Sequence, residues 1–268
     1  MCIIGAVTLN NQLCLIKVRD RNYTPRLYLC HKKIKGTEVV FYVDAETSWV
    51  EGMNEHGITV VNSALMIHSD ENEQEERDTK SEGARVSKDG VRIYYLLAAK
   101  TIKEALKRFK EGSVLKGHTL LTDGKELYHI EAVDDNPKIT KLDPKEPHVF
   151  TNHGIDYPDQ GYAPDTEDGK SSRVRRHQAL TVFREEGLTP SNLATTLIDR
   201  RLSPKKRYPF DMIRDIHLKT SSIAVFNVTK GTLDLTLLPD KVILENIVED
   251  KGLAGNGKLK AQFVFEPR

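Results

Sequence analysis

The stretch Glu51-Gly52-Met53-Asn54-Glu55-His56-Gly57-Ile58 lies between two runs of strand-forming residues. β-Branched and aromatic side chains fill Val39–Val43 before it, and Ile58–Val61 continues after it with the same character. Asparagine and glycine favour turns because both tolerate a positive φ angle, so the sequence predicts a turn over Gly52–Gly57. This part of the chain is therefore predicted to form a strand, a turn and a second strand.

Further strands and several helices are predicted on both sides of this stretch. The remaining strands are Cys2–Thr8, Leu13–Val18, Leu27–Cys30, His118–Thr122, Leu127–Val133, Ser222–Val228 and Thr232–Leu237. Asp123-Gly124, between His118–Thr122 and Leu127–Val133, predicts a hairpin that joins these two strands. Apolar residues at helical spacing predict a helical segment over Ile93–Lys110 that breaks near Lys100 into two helices. After a stretch rich in proline, glycine and aspartate, further helices are predicted over Arg173–Glu185 and Leu193–Arg201. The alternation of strands and helices fits sheets packed between helix layers in one domain over residues 1–268.

The composition is that of a charge-balanced globular chain. Of its 268 residues 38% are hydrophobic, and 40 basic side chains against 39 acidic ones leave a net charge of +1. No bulk charge would recruit nucleic acid or an anionic membrane. No apolar run approaches the roughly 20 residues of a membrane span, and the opening residues lack the pattern of a signal peptide. We therefore expect a cytoplasmic protein.

The three cysteines are odd in number and lack C-x-x-C spacing, so neither a disulfide framework nor a zinc site is predicted from them. Cys14 lies in an apolar run and is expected to be a small buried hydrophobic residue. Cys2 differs, because removal of Met1 would leave a thiol and a free α-amine on one residue. Their ordinary pKa values, about 8.5 and about 8, allow a nucleophile and a proton acceptor near neutral pH.

Four segments accompany Cys2 along the chain, and together they carry a family resemblance. The segments are Arg19-Asp20-Arg21-Asn22-Tyr23-Thr24, Glu51–Ile58, Val149-Phe150-Thr151-Asn152-His153 and Ser171-Ser172-Arg173-Val174-Arg175. They resemble the choloylglycine hydrolase, penicillin acylase and acyl-coenzyme A:6-aminopenicillanate acyltransferase group of N-terminal nucleophile (Ntn) hydrolases. The resemblance implies an α+β fold, the four-layer αββα sandwich, with two stacked and mainly antiparallel sheets flanked by helices and Cys2 at a sheet end.

The resemblance also implies catalytic roles for five residues. Cys2 is the nucleophile, Arg19 matches the arginine that would lower the pKa of the thiol, and Asn22 stands where an aspartate is usual. The side chain of Asn152 is expected to donate to the developing oxyanion. Arg175 matches the arginine that orders the nucleophile site.

The register of the first segment stays open. In a second alignment Arg21 is the nucleophile-site arginine in place of Arg19, and Thr24 replaces the usual aspartate. Asp20 could substitute for that aspartate in either alignment. The sequence therefore leaves two candidate arginines and three candidate replacements, Asp20, Asn22 and Thr24.

Substrate-binding positions follow from the same resemblance. In relatives the strand after the Glu51–Ile58 hairpin lends a backbone amide to the oxyanion site, which here selects Asn62, Ser63 and Ala64. Candidate pocket residues are Met53, Leu65, Met66 and Tyr157. The charged segment Ser69–Lys88 is expected to be a mobile loop that could gate entry. Ser171 and Ser172 also fit as helix N-caps.

The implied reaction is hydrolysis of a linear, non-peptide C–N amide bond in a small N-acyl substrate through an acyl-enzyme on Cys2. It needs no metal or organic cofactor. Three alternatives stay open: acyl transfer from the same intermediate, an altered family member that only binds a ligand, and a cysteine hydrolase with His153 or His177 as base. Acyl and amine specificity is left open, and so is assembly into a homo-oligomer.

Overall fold

The computed structural model describes residues 2–21, 23, 25–65, 88–111, 115–133, 136–199, 215–216, 218–238, 243–247 and 260–264. Four helices lie in these ranges, α1 (Lys88–Leu97), α2 (Ile102–Glu111), α3 (Glu167–Phe183) and α4 (Leu193–Asp199). The strands are β1 (Cys2–Leu9), β2 (Gln12–Arg21), β3 (Arg26–Ile34), β4 (Thr37–Asp44), β5 (Val50–Asn54), β6 (Thr59–Ser63), β7 (Gly117–Thr122), β8 (Leu127–Val133), β9 (Asn136–Leu142), β10 (His148–Phe150), β11 (Asp215–Ile216), β12 (Leu218–Asn227), β13 (Thr232–Leu237), β14 (Ile243–Ile247) and β15 (Lys260–Val264). None of these described helices is both long enough and apolar enough to cross a bilayer.

The strands form two sheets. The first has the order β10-β1-β2-β12-β13-β15, with β11 paired to β12, and the second has the order β14-β3-β4-β5-β6-β7-β8-β9. The described pairs are antiparallel except for β14 and β3, which are parallel. Asn10 and Asn11 join β1 to β2 with φ angles of 51° and 60°, the left-handed conformation that tight hairpins require.

The space between the sheets is filled by apolar side chains from both of them. Ile4 and Leu15 of the first sheet pack there with Leu29, Met53 and Leu120 of the second. Because side chains alternate along a strand, the intervening residues face outward. They form two further cores, one beneath each helix layer.

The outer cores attach one pair of helices to each sheet. Ile3 of β1 packs with Val182 and Phe183 of α3, and Phe41 of β4 packs with Leu97 of α1 in the opposite outer layer. Gly5 allows the close approach of α3, because a Cβ at that position would lie 2.6 Å from the Phe183 ring. The order helix, sheet, sheet, helix is the predicted αββα sandwich, which is confirmed.

Several local predictions are confirmed as well. The helical segment breaks after Leu97 and resumes at Ile102, and the hairpin at Asp123-Gly124 joins β7 to β8. Gly124 has a φ angle of 88°, which a glycine adopts without strain. The second strand of that hairpin ends at Val133, as predicted.

The predicted turn over Gly52–Gly57 is too long at its start. Strand β5 continues to Asn54, so that Gly52 and Met53 still pair with β4. The turn closes on the Asn54 side chain, whose Oδ1 accepts hydrogen bonds from the backbone nitrogens of His56 (2.9 Å) and Ile58 (3.0 Å). The polar turn residues were recognised correctly, but the sheet partner that extends β5 was not visible in them.

The third helix also begins earlier than predicted. Its N-cap is Thr166, whose Oγ1 accepts a hydrogen bond from the Gly169 nitrogen at 3.1 Å. The interpretation of Ser171 and Ser172 as N-caps is therefore wrong, because both serines lie inside α3. Strands β9 and β10 were not predicted, and the segment Ser69–Lys88 lies outside the described residues except for Lys88.

Candidate active site

The pairing of β1 with β2 brings the Cys2 thiol together with basic side chains. Cys2 lies opposite Arg19, and Ile4 lies opposite Lys17. Directly paired residues project from the same face of a sheet, and Ile4 faces the inter-sheet core. Cys2, Lys17 and Arg19 therefore share the inner face of the first sheet, where Cys2 is only 6% exposed.

Asn152 contacts the backbone nitrogen of Cys2. Strand β10 pairs with β1 and ends two residues before Asn152, which brings the Asn152 Oδ1 within 3.0 Å of the Cys2 nitrogen. The Nδ2 of the same amide donates to the Ala64 carbonyl at 2.6 Å and to the Ser63 Oγ at 3.2 Å. The Asn152 side chain thus bridges the start of β1 and the end of β6.

Arg21 is the arginine whose guanidinium reaches the thiol. Its Nη1 lies 3.9 Å from the Cys2 Sγ, and its Nε donates to the Asp44 Oδ2 at 3.0 Å. The Tyr23 hydroxyl donates to the same Asp44 oxygen at 2.7 Å. Two donors thus hold the Asp44 carboxylate, which in turn orients Arg21 beside the nucleophile.

Behind Arg21, a chain of alternating charges continues between the sheets. Arg19 forms ion pairs with Asp44, at 3.4 Å, and with Glu51. Glu51 also pairs with the ammonium group of Lys17 at 3.1 Å. Arg19, Glu51 and Lys17 are almost completely buried, so each charge depends on its neighbour to offset the loss of hydration.

Asp20 points to the opposite face of the first sheet and forms a buried ion pair with α3. Its Oδ2 accepts from the Arg175 Nη2 at 2.5 Å, and its Oδ1 accepts from the Thr220 Oγ1 at 2.7 Å. Of the three candidates for the usual aspartate, Asp20 is the residue that pairs with Arg175. Asn22 and Thr24 lie outside the described residues.

The surrounding charges give the buried thiols of Cys2 and Cys14 different pKa values. Burial raises the pKa of the Cys2 thiol, but the positive charges of Lys17, the amino terminus and Arg21 outweigh it and lower the value to about 6. For Cys14, burial and the nearby charge of Asp234 raise the pKa to about 12. At neutral pH Cys2 is therefore mainly a thiolate, whereas Cys14 is a thiol.

We expect Lys17→Met to move the reactivity of Cys2 to higher pH. Removing the buried positive charge destabilises the thiolate, so the midpoint of its pH–rate profile should rise above about 6. The rate of alkylation of the Cys2 peptide, followed by mass spectrometry from acidic to neutral pH, measures this midpoint. Lys33→Met, at an exposed lysine on β3, is the control and should leave the midpoint in place. An unchanged midpoint in folded Lys17→Met protein would contradict the assignment.

The predicted substrate-binding residues occupy different places. Ala64 is at the site, since its carbonyl accepts the Asn152 amide, and the Asn62 carbonyl accepts a hydrogen bond from the Lys17 ammonium. Met53 is fully buried in the inter-sheet core. Tyr157 lies in the loop after Asn152 and donates its backbone N–H to Glu131 at 3.2 Å, while Met66 lies outside the described residues.

The two histidines considered as bases are engaged elsewhere or exposed. The His153 Nδ1 lies 2.8 Å from the Ser172 Oγ and 3.0 Å from the Thr151 Oγ1. Burial, followed by the charge of Arg173, lowers the pKa of His153 to about 3. His177 is exposed on α3. Among the described contacts, the group that approaches the Cys2 thiol is Arg21.

Lys17, Asp44 and Glu51 were not singled out from the sequence. One signal was available in the spacing of two between Lys17, Arg19 and Arg21, which places them on one face of a strand. The predicted strand ended at Val18, whereas β2 continues to Arg21. The acidic partners had no such signal, since they come from β4 and β5 in the other sheet.

Solved structures of two hydrolases have the same fold. Penicillin V acylase from Agrobacterium tumefaciens matches with a TM-score of 0.52 and 11% identity, over 90% of this chain and 84% of that one. Two variants of conjugated bile acid hydrolase from Clostridium perfringens give TM-scores of 0.55 and 0.53 at 10% and 9% identity. These matches cover 98% and 99% of this chain and 96% and 98% of theirs. The predicted resemblance to the Ntn-hydrolase sandwich is thereby confirmed at the level of fold. No protein-family model matches the chain, and no curated protein matches its sequence.

Proposed function

We propose that this chain is an N-terminal cysteine amidohydrolase that cleaves a linear C–N amide bond of a small N-acyl compound. The observation that carries the proposal is the hydrogen bond of 3.0 Å between the Cys2 nitrogen and the Asn152 Oδ1, formed next to a thiol that Arg21 contacts. After removal of Met1 this nitrogen becomes an α-amine, held in place beside the nucleophile. The names of the two enzymes that share the fold, an acylase and a hydrolase of conjugated bile acid, support an acyl-amide substrate.

The first half of the reaction forms an acyl-enzyme. The Cys2 thiolate attacks the acyl carbon and forms a C–S bond while the carbonyl oxygen becomes an oxyanion. The protonated α-amine gives its proton to the substrate nitrogen, the C–N bond breaks and the amine leaves. Arg21 stabilises the thiolate before the attack, because its guanidinium lies 3.9 Å from the sulfur.

The oxyanion forms near the end of β6. The Asn152 Nδ2 faces Ser63 and Ala64 there. The oxygen of this amide group therefore contacts the α-amine, while its nitrogen lies at the expected oxyanion position. Both N–H groups of this amide donate to Ser63 and Ala64 in the structure, so one of them must turn to the oxyanion, where a donor stabilises the developing charge. Asn152 therefore serves both halves of the proposed site.

The second half of the reaction returns the enzyme to its starting state. The α-amine, now neutral, takes a proton from water, and the resulting hydroxide attacks the thioester carbon. The C–S bond breaks, a carboxylic acid leaves and the Cys2 thiolate is restored. Hydrolysis is proposed over acyl transfer because water needs no second substrate site.

Measuring the intact mass of the purified protein tests this proposal. We expect the mass of the chain without Met1, and one acyl adduct after treatment with an activated acyl ester. The Cys2→Ala variant should form no adduct, because Cys14 and Cys30 are buried and the pKa of each thiol is raised chiefly by burial. Retention of Met1, or equal labelling of Cys2→Ala, would disprove an N-terminal nucleophile.

A further inference from the structure

Three buried ligand atoms converge beneath the loop that carries Asn152. They belong to His118 of β7 and to His129 and Glu131 of β8, and all lie within 4.8 Å of one another. The His118 Nδ1 is 3.0 Å from the His129 Nε2 and 3.8 Å from the Glu131 Oε2. Zinc bonds to nitrogen and carboxylate oxygen of about 2.0–2.2 Å separate tetrahedral ligands by about 3.4 Å. The two separations from the His118 Nδ1 lie on either side of that value.

The outer partners of the two histidines leave their inner nitrogens able to bind a cation. The His118 Nε2 donates to the carbonyl of His153 at 2.9 Å, so a neutral His118 has a lone pair on Nδ1. The His129 Nδ1 faces the Asp156 Oδ2 at 3.9 Å, and a carboxylate favours a proton on that nitrogen and a lone pair on Nε2. Backbone carbonyls and carboxylates are the outer partners that metal-bound histidines typically have.

A hydrogen bond between the His118 Nδ1 and the His129 Nε2 satisfies the polar atoms of these two rings less completely than a metal ion bound to both nitrogens. If His129 donates from Nε2 to His118, its Nδ1 lone pair is turned toward the Asp156 carboxylate. If His129 instead keeps its proton on Nδ1, two lone pairs meet at 3.0 Å. A cation bound to both nitrogens removes that repulsion and lets each outer nitrogen donate.

Glu131 adds a buried negative charge in a fixed orientation. Its two oxygens accept hydrogen bonds from the backbone nitrogens of Ile155, Asp156 and Tyr157, the shortest at 2.7 Å. The His129 ring is also held, since it stacks on Phe150 with the ring centroids 3.7 Å apart. Two imidazoles and one carboxylate, each already immobilised, form the donor set of known three-ligand zinc sites.

We infer that His118, His129 and Glu131 form a binding site for a divalent transition-metal ion of the zinc class. The ion bridges β7 and β8, and the outer atoms of its three ligands contact the loop of residues 153–157, which begins directly after Asn152. Its role is structural, because it fixes the segment that positions the Asn152 amide and contributes no group to the reaction at Cys2.

Metal binding by the whole protein tests this inference without any assay of activity. After treatment with a chelator, addition of Zn²⁺ should raise the melting temperature, and addition of Co²⁺ should give the visible absorption of a cobalt ion with a low coordination number. His129→Gln should lose both signals, whereas His177→Gln, at an exposed histidine of α3, should retain them. Asp156→Asn keeps all three ligands and should weaken metal affinity by about 10- to 100-fold.

Two results would overturn the inference. One is the absence of both the Co²⁺ absorption and the Zn²⁺-dependent rise in melting temperature in the wild-type protein, a measurement that does not depend on the folding of any variant. The other is a Co²⁺ spectrum that His129→Gln leaves unchanged, which would place the metal at other ligands.

Discussion

Asn152→Ala should lower the rate at which Cys2 is acylated by about 10² to 10³-fold. The substitution removes the acceptor that holds the Cys2 nitrogen and the donor that faces Ser63 and Ala64. Both losses affect the transition state, because the α-amine must be in place when the leaving group needs its proton and the oxyanion forms at the same time. The rate constant for adduct formation with the activated acyl ester is the measurement.

A second variant separates the two contacts of Asn152. Asn152→Asp keeps an oxygen for the α-amine but has no donor for the oxyanion, and its negative charge should also raise the pKa of the Cys2 thiol. Its rate of acylation is to be measured well above the pKa of the thiol. If donation to the oxyanion dominates, we expect this rate to be as low as that of Asn152→Ala. If holding the amine dominates, we expect it to be much closer to that of the wild type.

Asn192→Ala is the matched control, because this asparagine is exposed in the turn before α4. Its rate should equal that of the wild-type protein. The thermal melt of each variant shows whether it is folded, since removal of a buried hydrogen-bonding group by itself costs about 1–3 kcal/mol. A folded Asn152→Ala protein that is acylated at the wild-type rate would exclude the proposed role.

Arg175→Met should lower the free energy of unfolding by about 3–5 kcal/mol. The Asp20–Arg175 pair is fully buried, and the substitution removes the positive charge of the guanidinium from beside the Asp20 carboxylate, in a place that water does not reach. Thr220 still donates to the other oxygen, but a neutral donor does not replace the positive charge beside a buried carboxylate. Urea unfolding followed by circular dichroism measures the change.

The double variant Asp20→Asn/Arg175→Met should recover part of this loss, because it leaves no unpaired charge. Arg173→Met is the control on the same helix. Arg173 is partly exposed and donates to the Gly169 carbonyl within α3, so a change within about 0.5 kcal/mol is expected. A loss of less than about 1 kcal/mol in Arg175→Met would show that the pair does not anchor α3 to β2.

The succession of strands and helices could be predicted from the sequence because it depends on local patterns, whereas the four-layer order was implied by the family resemblance. Runs of apolar and β-branched residues marked the first strands, helical spacing marked α1 and α2, and the Asp123-Gly124 dipeptide marked the hairpin between β7 and β8. Short strands without such patterns were missed. Strand β10 has only three residues, and it forms because β1 offers it an edge rather than because of its own composition.

The site could be predicted in part. The sequence directed attention to Cys2, Asn152 and Arg175, and the structure brings Asn152 to the Cys2 nitrogen. It could not distinguish Arg19 from Arg21, because both project from the same face of β2 and only their partners differ. Arg19 is bound by Glu51 of the opposite sheet, whereas Arg21 is held by Asp44 at the end of β4, beside the thiol.

Sequence by itself determined which chemical groups this protein has and which strand face each of them occupies, since alternation along a strand depends only on neighbouring residues. Tertiary structure alone decided which of those groups meet. Asp20 and Arg175 are 155 positions apart, and Cys2 and Asn152 are 150 positions apart. Contacts of that kind depend on how sheets and helices stack. The free energy of a buried pair comes from the interaction of its two members together with the loss of water around them, and neither is encoded in the local pattern.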